Sequence, residues 1–125
     1  MSASGILQPA TVISLTDQVA IGAELAVENA LMLQLFLSYV KGDETGVSVR
    51  MFTRRLSGSV ITYQSRVWSE SAGIITPALE SIYLIADGDY RFEWLLGAID
   101  YVYFTQAGTN DGTPTGTLAA AYALL

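Results

Sequence analysis

The chain has 125 residues, the size of one ordinary domain, and 51% of them are hydrophobic while only 14% are charged. Its 6 basic and 12 acidic residues give a net charge of −6, which argues against nucleic-acid binding because phosphate contacts need a concentrated basic patch. The absence of cysteine and histidine excludes thiol nucleophiles, serine–histidine catalysis and zinc sites built from nitrogen or sulfur ligands.

The N-terminal part of the chain predicts strands separated by turn residues. Residues 1–9 lack the basic start and long apolar run of a signal peptide, so we expect a chain that is made in the cytoplasm and stays soluble. We expect the same residues to form an extended arm. Residues 10–15 are apolar and β-branched and predict a first strand. Residues 17–28 are ambiguous between helix and strand, and we favour a strand with a bend at Gly22.

Residues 30–40 carry the strongest strand signal. Apolar side chains recur with period 2, which places one set toward the core: Leu31, Leu33, Leu35, Leu37 and Tyr39. The opposite face is also substantially apolar, so we expect this strand to be central in its sheet or covered on both sides. The run is too short for a membrane-spanning helix, which needs about 20 residues.

Polar turns divide the rest of the chain into further strands. Residues 41–46 are expected to close a hairpin into a strand at 47–55, and a strand at 59–69 would complete a three-stranded meander. Residues 74–77 are irregular or form a short edge strand. The sequence Asp87-Gly88-Asp89 predicts a hairpin between strands at 81–86 and 90–96.

The aromatic residues lie in the next two predicted strands. Tyr90, Phe92 and Trp94 share one face of the first, and Tyr101 and Tyr103 share one face of a strand at 99–106. Apolar residues stand opposite both sets, so one sheet is expected to be apolar on both faces. This indicates a subunit interface, or else a core covered by the N-terminal segment. A loop at 107–116 and a last strand at 117–124 end the chain.

About eight short strands without a confident helix predict an all-β fold, an antiparallel β-sandwich or jelly roll, in a single domain spanning residues 1–125. The acidic pairs lie in turns, where carboxylates usually bind backbone N–H groups. The loops at 87–89 and 110–112 could bind calcium if they met, although neither has EF-hand spacing. The pattern therefore predicts no catalytic residue, no cofactor and no metal.

Three stretches resemble small β-sandwich structural proteins of tailed bacteriophages. They are Tyr-Val-Lys-Gly-Asp-Glu-Thr-Gly followed by Val-Ser-Val-Arg-Met at 39–51, Gly-Asp-Tyr-Arg-Phe at 88–92, and Tyr-Val-Tyr-Phe-Thr-Gln-Ala-Gly-Thr at 101–109 with the Gly-Thr-Pro-Thr-Gly loop and small-residue strand after it. The resemblance covers roughly residues 29–125.

The resemblance implies a non-enzymatic virion structural protein, made in the host cytoplasm and most simply a decoration protein on the capsid surface. Such a protein would bind the major capsid protein or other virion subunits and form a homo-oligomer, with a trimer favoured. No nucleic-acid or membrane partner is expected. We expect the contacts in the N-terminal arm, the exposed loops and the tyrosine strand: Ile6, Leu7, Pro9, Lys41, Asp43, Glu44, Tyr101, Tyr103, Asn110 and Asp111.

Three alternatives stay open at this point. The protein could be a head–tail connector or tail structural protein. It could be a carbohydrate-binding β-sandwich with Trp68, Trp94 or a tyrosine as a stacking platform, which requires exposed aromatic rings on a concave face. It could also be an enzyme that uses carboxylates alone, which requires two acids to converge in a pocket.

Overall fold

Strands supply the regular structure of the chain wherever the computed structural model describes it. The described residues are 3–13, 19–27, 30–54, 63–64, 67–71, 74–78, 81–96, 100–109 and 113–125. Within these ranges there is no helix, and hence none long and apolar enough to cross a membrane.

The strands follow one another in short segments. In chain order they are β1 (Ala3–Val12), β2 (Val19–Ala20), β3 (Leu25–Ala26), β4 (Met32–Val40), β5 (Gly46–Arg54), β6 (Tyr63–Gln64), β7 (Val67–Ser71), β8 (Ile74–Ala78), β9 (Ser81–Leu84), β10 (Gly88–Leu95), β11 (Tyr101–Thr109) and β12 (Thr117–Leu124).

The strands form two sheets with antiparallel ladders. The first sheet has the order β1-β12-β4-β10-β7-β8. In the second, the order is β2-β11-β5-β6, with β3 also paired to β11 and β9 also paired to β5. The two sheets pack face to face, which confirms the predicted all-β antiparallel sandwich.

The core lies between the sheets and follows the predicted alternation. On β4, Leu33, Leu35 and Leu37 are at most 1% exposed, and each such buried leucine contributes about 1.5–3 kcal/mol. From the second sheet Val49 and Phe104 meet them. The prediction was wrong for Leu31, which is 75% exposed. Leu31 precedes the ladder of β4 and instead donates its N–H to the carbonyl of Leu125.

The predicted hairpins at 41–46 and 87–89 are wrong. Strands β4 and β5 belong to different sheets, as do β9 and β10, so both connections cross from one sheet to the other. They run side by side, since the Lys41 N–H donates to a carboxylate oxygen of Asp87 at 2.6 Å. Glycine and aspartate favour any sharp change of direction, and a sheet-crossing loop needs one as much as a tight hairpin does.

The predicted three-stranded meander is wrong as a whole, although the pairing of its second and third strands is confirmed in part by β5 and β6. The strand predicted at 59–69 is divided between β6, which pairs with β5 in the second sheet, and β7, which pairs with β10 in the first. The short edge strand predicted at 74–77 is confirmed as β8, at one edge of the first sheet. That edge carries Pro77, which has no N–H to donate.

The N-terminal segment is an edge strand of the first sheet. Residues 3–12, predicted as an arm followed by the start of a strand at 10–15, form edge strand β1 against β12. The register shifts on either side of Gln8, whose side-chain amide donates to the Leu118 carbonyl at 2.8 Å and replaces a lost ladder bond. Pro9 suits this edge for the same reason as Pro77 suits the other.

The described part of residues 17–28 confirms a strand bent at Gly22. Strands β2 and β3 lie on either side of the bend, and both pair with β11. Gly22 has φ 67°, in the left-handed region that favours glycine. A Cβ atom there would also collide with the carbonyl oxygen of Leu7. This bend therefore places Ile21, which is 0% exposed, in the core.

Candidate functional site

The outward-facing side of β1, β12, β4 and β10, called here the outer face, is unusually apolar. Its residues form rows across the strands because antiparallel partners point to the same side. One row is Ile6–Ala121–Phe36–Arg91, and the row near one end is Val12–Thr117–Val40. The apolar side chains of the outer face are exposed to 77% at Ile6, 59% at Val12, 56% at Val40 and 38% at Phe36. Leu95, near the other end of the face, is 82% exposed. A sheet face with this many exposed apolar side chains is typical of a protein contact.

A shallow groove of about 390 Å³ crosses the middle of the outer face. Its floor is low because β12 places only alanines there, Ala119 and Ala121. Ile6 and Pro9 of the edge strand line one side, and Phe36 lies across from them. The groove is therefore lined mainly by apolar side chains, as protein and peptide sites commonly are.

Charges on the outer face are confined to β10. Asp89, Arg91 and Glu93 alternate along its outward side. The Gln34 amide donates to the Glu93 carboxylate at 2.7 Å, and the Arg91 guanidinium lies 3.6 Å from the same oxygen. Because Arg91 and Glu93 are both exposed, this ion pair adds little to stability.

A buried carboxylate joins the first crossing loop to the segment before β12. Glu44 is 0% exposed. It accepts hydrogen bonds from the Tyr39 hydroxyl at 2.5 Å and from the backbone N–H groups of Gly42, Thr115 and Gly116 at 2.8, 3.1 and 2.9 Å. Four donors around one carboxylate replace the water that burial removes.

The hydrogen bonds decide the charge of this carboxyl group. Burial raises the pKa of Glu44, but the hydrogen bonds from Tyr39 and from the Gly42 and Gly116 N–H groups outweigh it and lower the pKa to about 2. Burial and the neighbouring Glu44 raise the pKa of Tyr39. The pair is therefore a neutral phenol bound to a carboxylate, an arrangement that holds two loops together and has no free lone pair for acid–base chemistry.

The outward side of the second sheet carries an aromatic cross-strand pair. Tyr103 and Phe52 are register partners and their rings stack with centroids 5.0 Å apart. Each ring covers a face of the other. The cross-strand interpretation of Tyr103 is confirmed, but the two predicted aromatic sets lie in different sheets, β10 in the first and β11 in the second. The two sets therefore do not build one sheet together; the sheet with apolar residues on both faces is the first, which contains β10.

The predicted contact residues fall in several places. Ile6 and Pro9 line the groove, whereas Leu7 points inward against the core. Lys41 and Asp43 are exposed in the first crossing loop, and Tyr101 and Tyr103 lie half-buried on the second sheet.

Glu44, Asn110 and Asp111 complete the set of predicted contacts. Glu44 was wrongly expected at an interface, because a side chain with no exposed surface cannot touch a partner. Asn110 and Asp111 lie outside the described residues.

Sequence reasoning missed the floor and far wall of the groove. Phe36 and the alanines of β12 were not singled out as contacts, and neither was Val40 at one end of the same face. The apolar second face of residues 30–40 was the signal that could have found them. Recognising the groove also required knowing that β12 pairs with β4, and this pairing joins residues that are far apart in the chain.

The described residues contain no site for the sugar binding or metal binding considered from the sequence. Trp94, a predicted sugar platform, is 3% exposed and packs on Phe104 at 5.7 Å, so it cannot stack on a ligand. The side chain of Trp68 lies outside the described part. Among the described residues no three His, Cys, Asp or Glu side chains come together as a metal site would need. The proposed calcium loop at 110–112 is also outside them.

The fold has a solved counterpart. The crystal structure of SPBc2 prophage-derived protein YomS matches this chain with a TM-score of 0.66 and 13% sequence identity, over 99% of this chain and 92% of that one. No protein-family profile and no curated protein sequence matches the chain. At this identity the likeness shows that the two proteins share a fold.

Proposed function

We propose that this chain is a non-enzymatic structural protein of a bacteriophage particle and that it acts by binding other protein subunits. The observation that carries the proposal is the outer face, which exposes Ile6, Val40 and Leu95 and contains a groove floored by alanine. Exposing so much apolar surface is costly in water, and a partner subunit that covers it recovers about 25 cal/mol per Å².

The assignment to a phage particle has two supports. The sequence resembles small β-sandwich structural proteins of tailed phages. Independently of that, a protein with the same fold is prophage-derived. Within this class we favour a capsid decoration protein on the capsid surface, bound to the major capsid protein or to other virion subunits. A head–tail connector or tail protein is the alternative, and it would use the same face in a different part of the particle.

The buried carboxylate supports the non-enzymatic part of the proposal. Glu44 is the acid with the most perturbed surroundings among the described residues, which is where a catalytic acid would be sought. Its oxygens instead accept four hydrogen bonds within the chain, three of them from backbone N–H groups. A carboxylate engaged in this way serves to hold loops in place.

The proposal is tested by adding the purified chain to phage particles that lack it and sedimenting the mixture through a density gradient. We expect the wild-type chain to travel with the particles and Leu95→Lys, which places a charge on the outer face, to bind much more weakly. Ile85→Lys is the matched control, because Ile85 is 59% exposed but lies in the second crossing loop, off the outer face.

The readings of this experiment separate the possibilities. A decoration protein also raises the temperature at which the particles release their contents, whereas a connector or tail protein binds in a few copies at one vertex. A wild-type chain that stays at the top of the gradient with every particle type would refute the proposal.

A further inference from the structure

We propose that the outer face of the first sheet binds the same face of a second copy of this chain, related by a two-fold axis. The inference rests on the proposed function in one respect, that this face is a subunit contact, and it names the subunit.

The outer face is self-complementary in shape. A two-fold interface brings one patch against itself, so the patch must hold both projecting side chains and recesses to receive them. Ile6 and Leu95 project from it and are 77% and 82% exposed. The groove over Ala119 and Ala121 is the recess, and its volume of about 390 Å³ is enough for several aliphatic side chains. Each copy thus carries both the projecting side chains and the recess that a two-fold contact needs.

The charges of the face are also compatible with a second copy. Although the chain has a net charge of −6, the outward side of β10 alternates acid, base and acid at Asp89, Arg91 and Glu93. When the two-fold axis runs perpendicular to the strands, the two β10 strands face each other antiparallel, and centring them between Arg91 and Glu93 sets the base of each copy against an acid of the other. The central Gln34 already donates to Glu93 within the chain, so covering the face leaves this amide with a partner.

The face has the size that a specific dimer needs. Four strands spaced about 4.8 Å apart, each about nine residues long at about 3.4 Å per residue, cover roughly 600 Å² in projection. Side chains that stand out from a sheet make its accessible area larger than its projection. A standard interface takes about 800 Å² from each partner. A complete face-to-face contact would therefore be of ordinary size.

The first experiment is light scattering coupled to size-exclusion chromatography on the purified chain without particles. We expect a mass of twice the 13.4 kDa of the chain. Ile6→Lys should halve the measured mass, because the new ammonium would be buried without a partner. Ile85→Lys, off the face, should leave it unchanged. Ile6 lies on an exposed edge, so the variant should keep its far-ultraviolet circular dichroism.

A second measurement does not depend on disturbing the face with a charge. The chain has no cysteine, so Ser38→Cys and Thr45→Cys each supply a single thiol, the first in the middle of the outer face and the second in an exposed loop. The rate of maleimide labelling of the Ser38→Cys variant should fall about tenfold as the protein concentration rises from the monomeric to the dimeric range. The reason is that the thiol is accessible to the reagent only in the separated copy. The loop thiol should react at a constant rate.

Each result is decisive for the inference. A monomer at all concentrations, a trimer, or a dimer that survives Ile6→Lys with unprotected thiol at position 38 would overturn it. A monomer that still joins particles would leave the proposed function standing and remove only the two-fold contact. A dimer of the expected kind that never joins particles would support the two-fold contact and refute the proposed function.

Discussion

Glu44 shows at the residue scale how a turn acid becomes a structural group. Acids in turns usually accept hydrogen bonds from nearby backbone N–H groups, and Glu44 does so from the Gly42 N–H. Two of the donors that bury Glu44 come from Thr115 and Gly116, more than 70 positions later in the chain. No local pattern could have indicated them.

The stability of the chain should depend on pH through this carboxyl group. Its pKa of about 2 in the folded protein lies below the ordinary value of 4.5, so the folded state binds fewer protons than the unfolded state between these values. The contribution of Glu44 is therefore complete above about pH 4.5 and lost as the pH falls toward 2. Each unit is worth 1.36 kcal/mol, so the loss is about 3 kcal/mol.

Glu44→Gln should remove that pH dependence and lower the free energy of unfolding by about 2 kcal/mol near neutral pH, because an amide NH₂ would then face N–H donors. Urea unfolding followed by circular dichroism across the acid range measures both effects. Asp89→Asn is the control, since Asp89 is exposed and its loss should change stability by less than about 0.5 kcal/mol. Equal pH profiles for wild type and Glu44→Gln would contradict the assignment.

Among the strands, the sequence predicts which side chains point toward the core far better than it predicts which strands pair with each other. The alternation with period 2 correctly predicts that Leu33, Leu35 and Leu37 point inward, as do Phe92 and Trp94. It does so because successive side chains of a strand point to opposite faces, which depends only on neighbouring residues. Which sheet a strand joins depends on partners elsewhere in the chain. The hairpin predictions failed for this reason at both crossing loops.

The bend at Gly22 provides a test at this scale. Gly22→Ala should destabilise the fold by more than about 1 kcal/mol, since the residue has a positive φ and its Cβ would collide with the Leu7 carbonyl. Gly88→Ala is the matched control, because a Cβ there meets atoms no closer than 3.4 Å. Chemical unfolding of both variants gives the comparison. Equal stabilities would show that the bend between β2 and β3 tolerates a side chain.

For the molecule as a whole, β12 holds the first sheet together. It lies between β1 and β4, although the three strands are widely separated in the sequence. It also contributes Leu118, 0% exposed, to the core that both sheets share. Removing β12 would leave two sheet edges and a gap in the core.

We therefore expect a chain cut before Thr117 to lose its cooperative unfolding transition and most of its β-sheet circular dichroism. A synthetic peptide of residues 113–125 added in trans should restore both, because β12 pairs on two sides and carries its own core residues. A peptide with Leu118→Asp serves as the control and should not restore the fold. A shortened chain that unfolds cooperatively by itself would contradict this account.

The two outermost strands of the first sheet each contain a proline, Pro9 in β1 and Pro77 in β8, and β1 is further broken by register shifts. A sheet that grows strand by strand needs straight edges with a full set of N–H donors, and these edges lack them. Association is thus blocked along the sheet while its broad side stays open. High concentration should for that reason not produce fibres that extend the first sheet strand by strand.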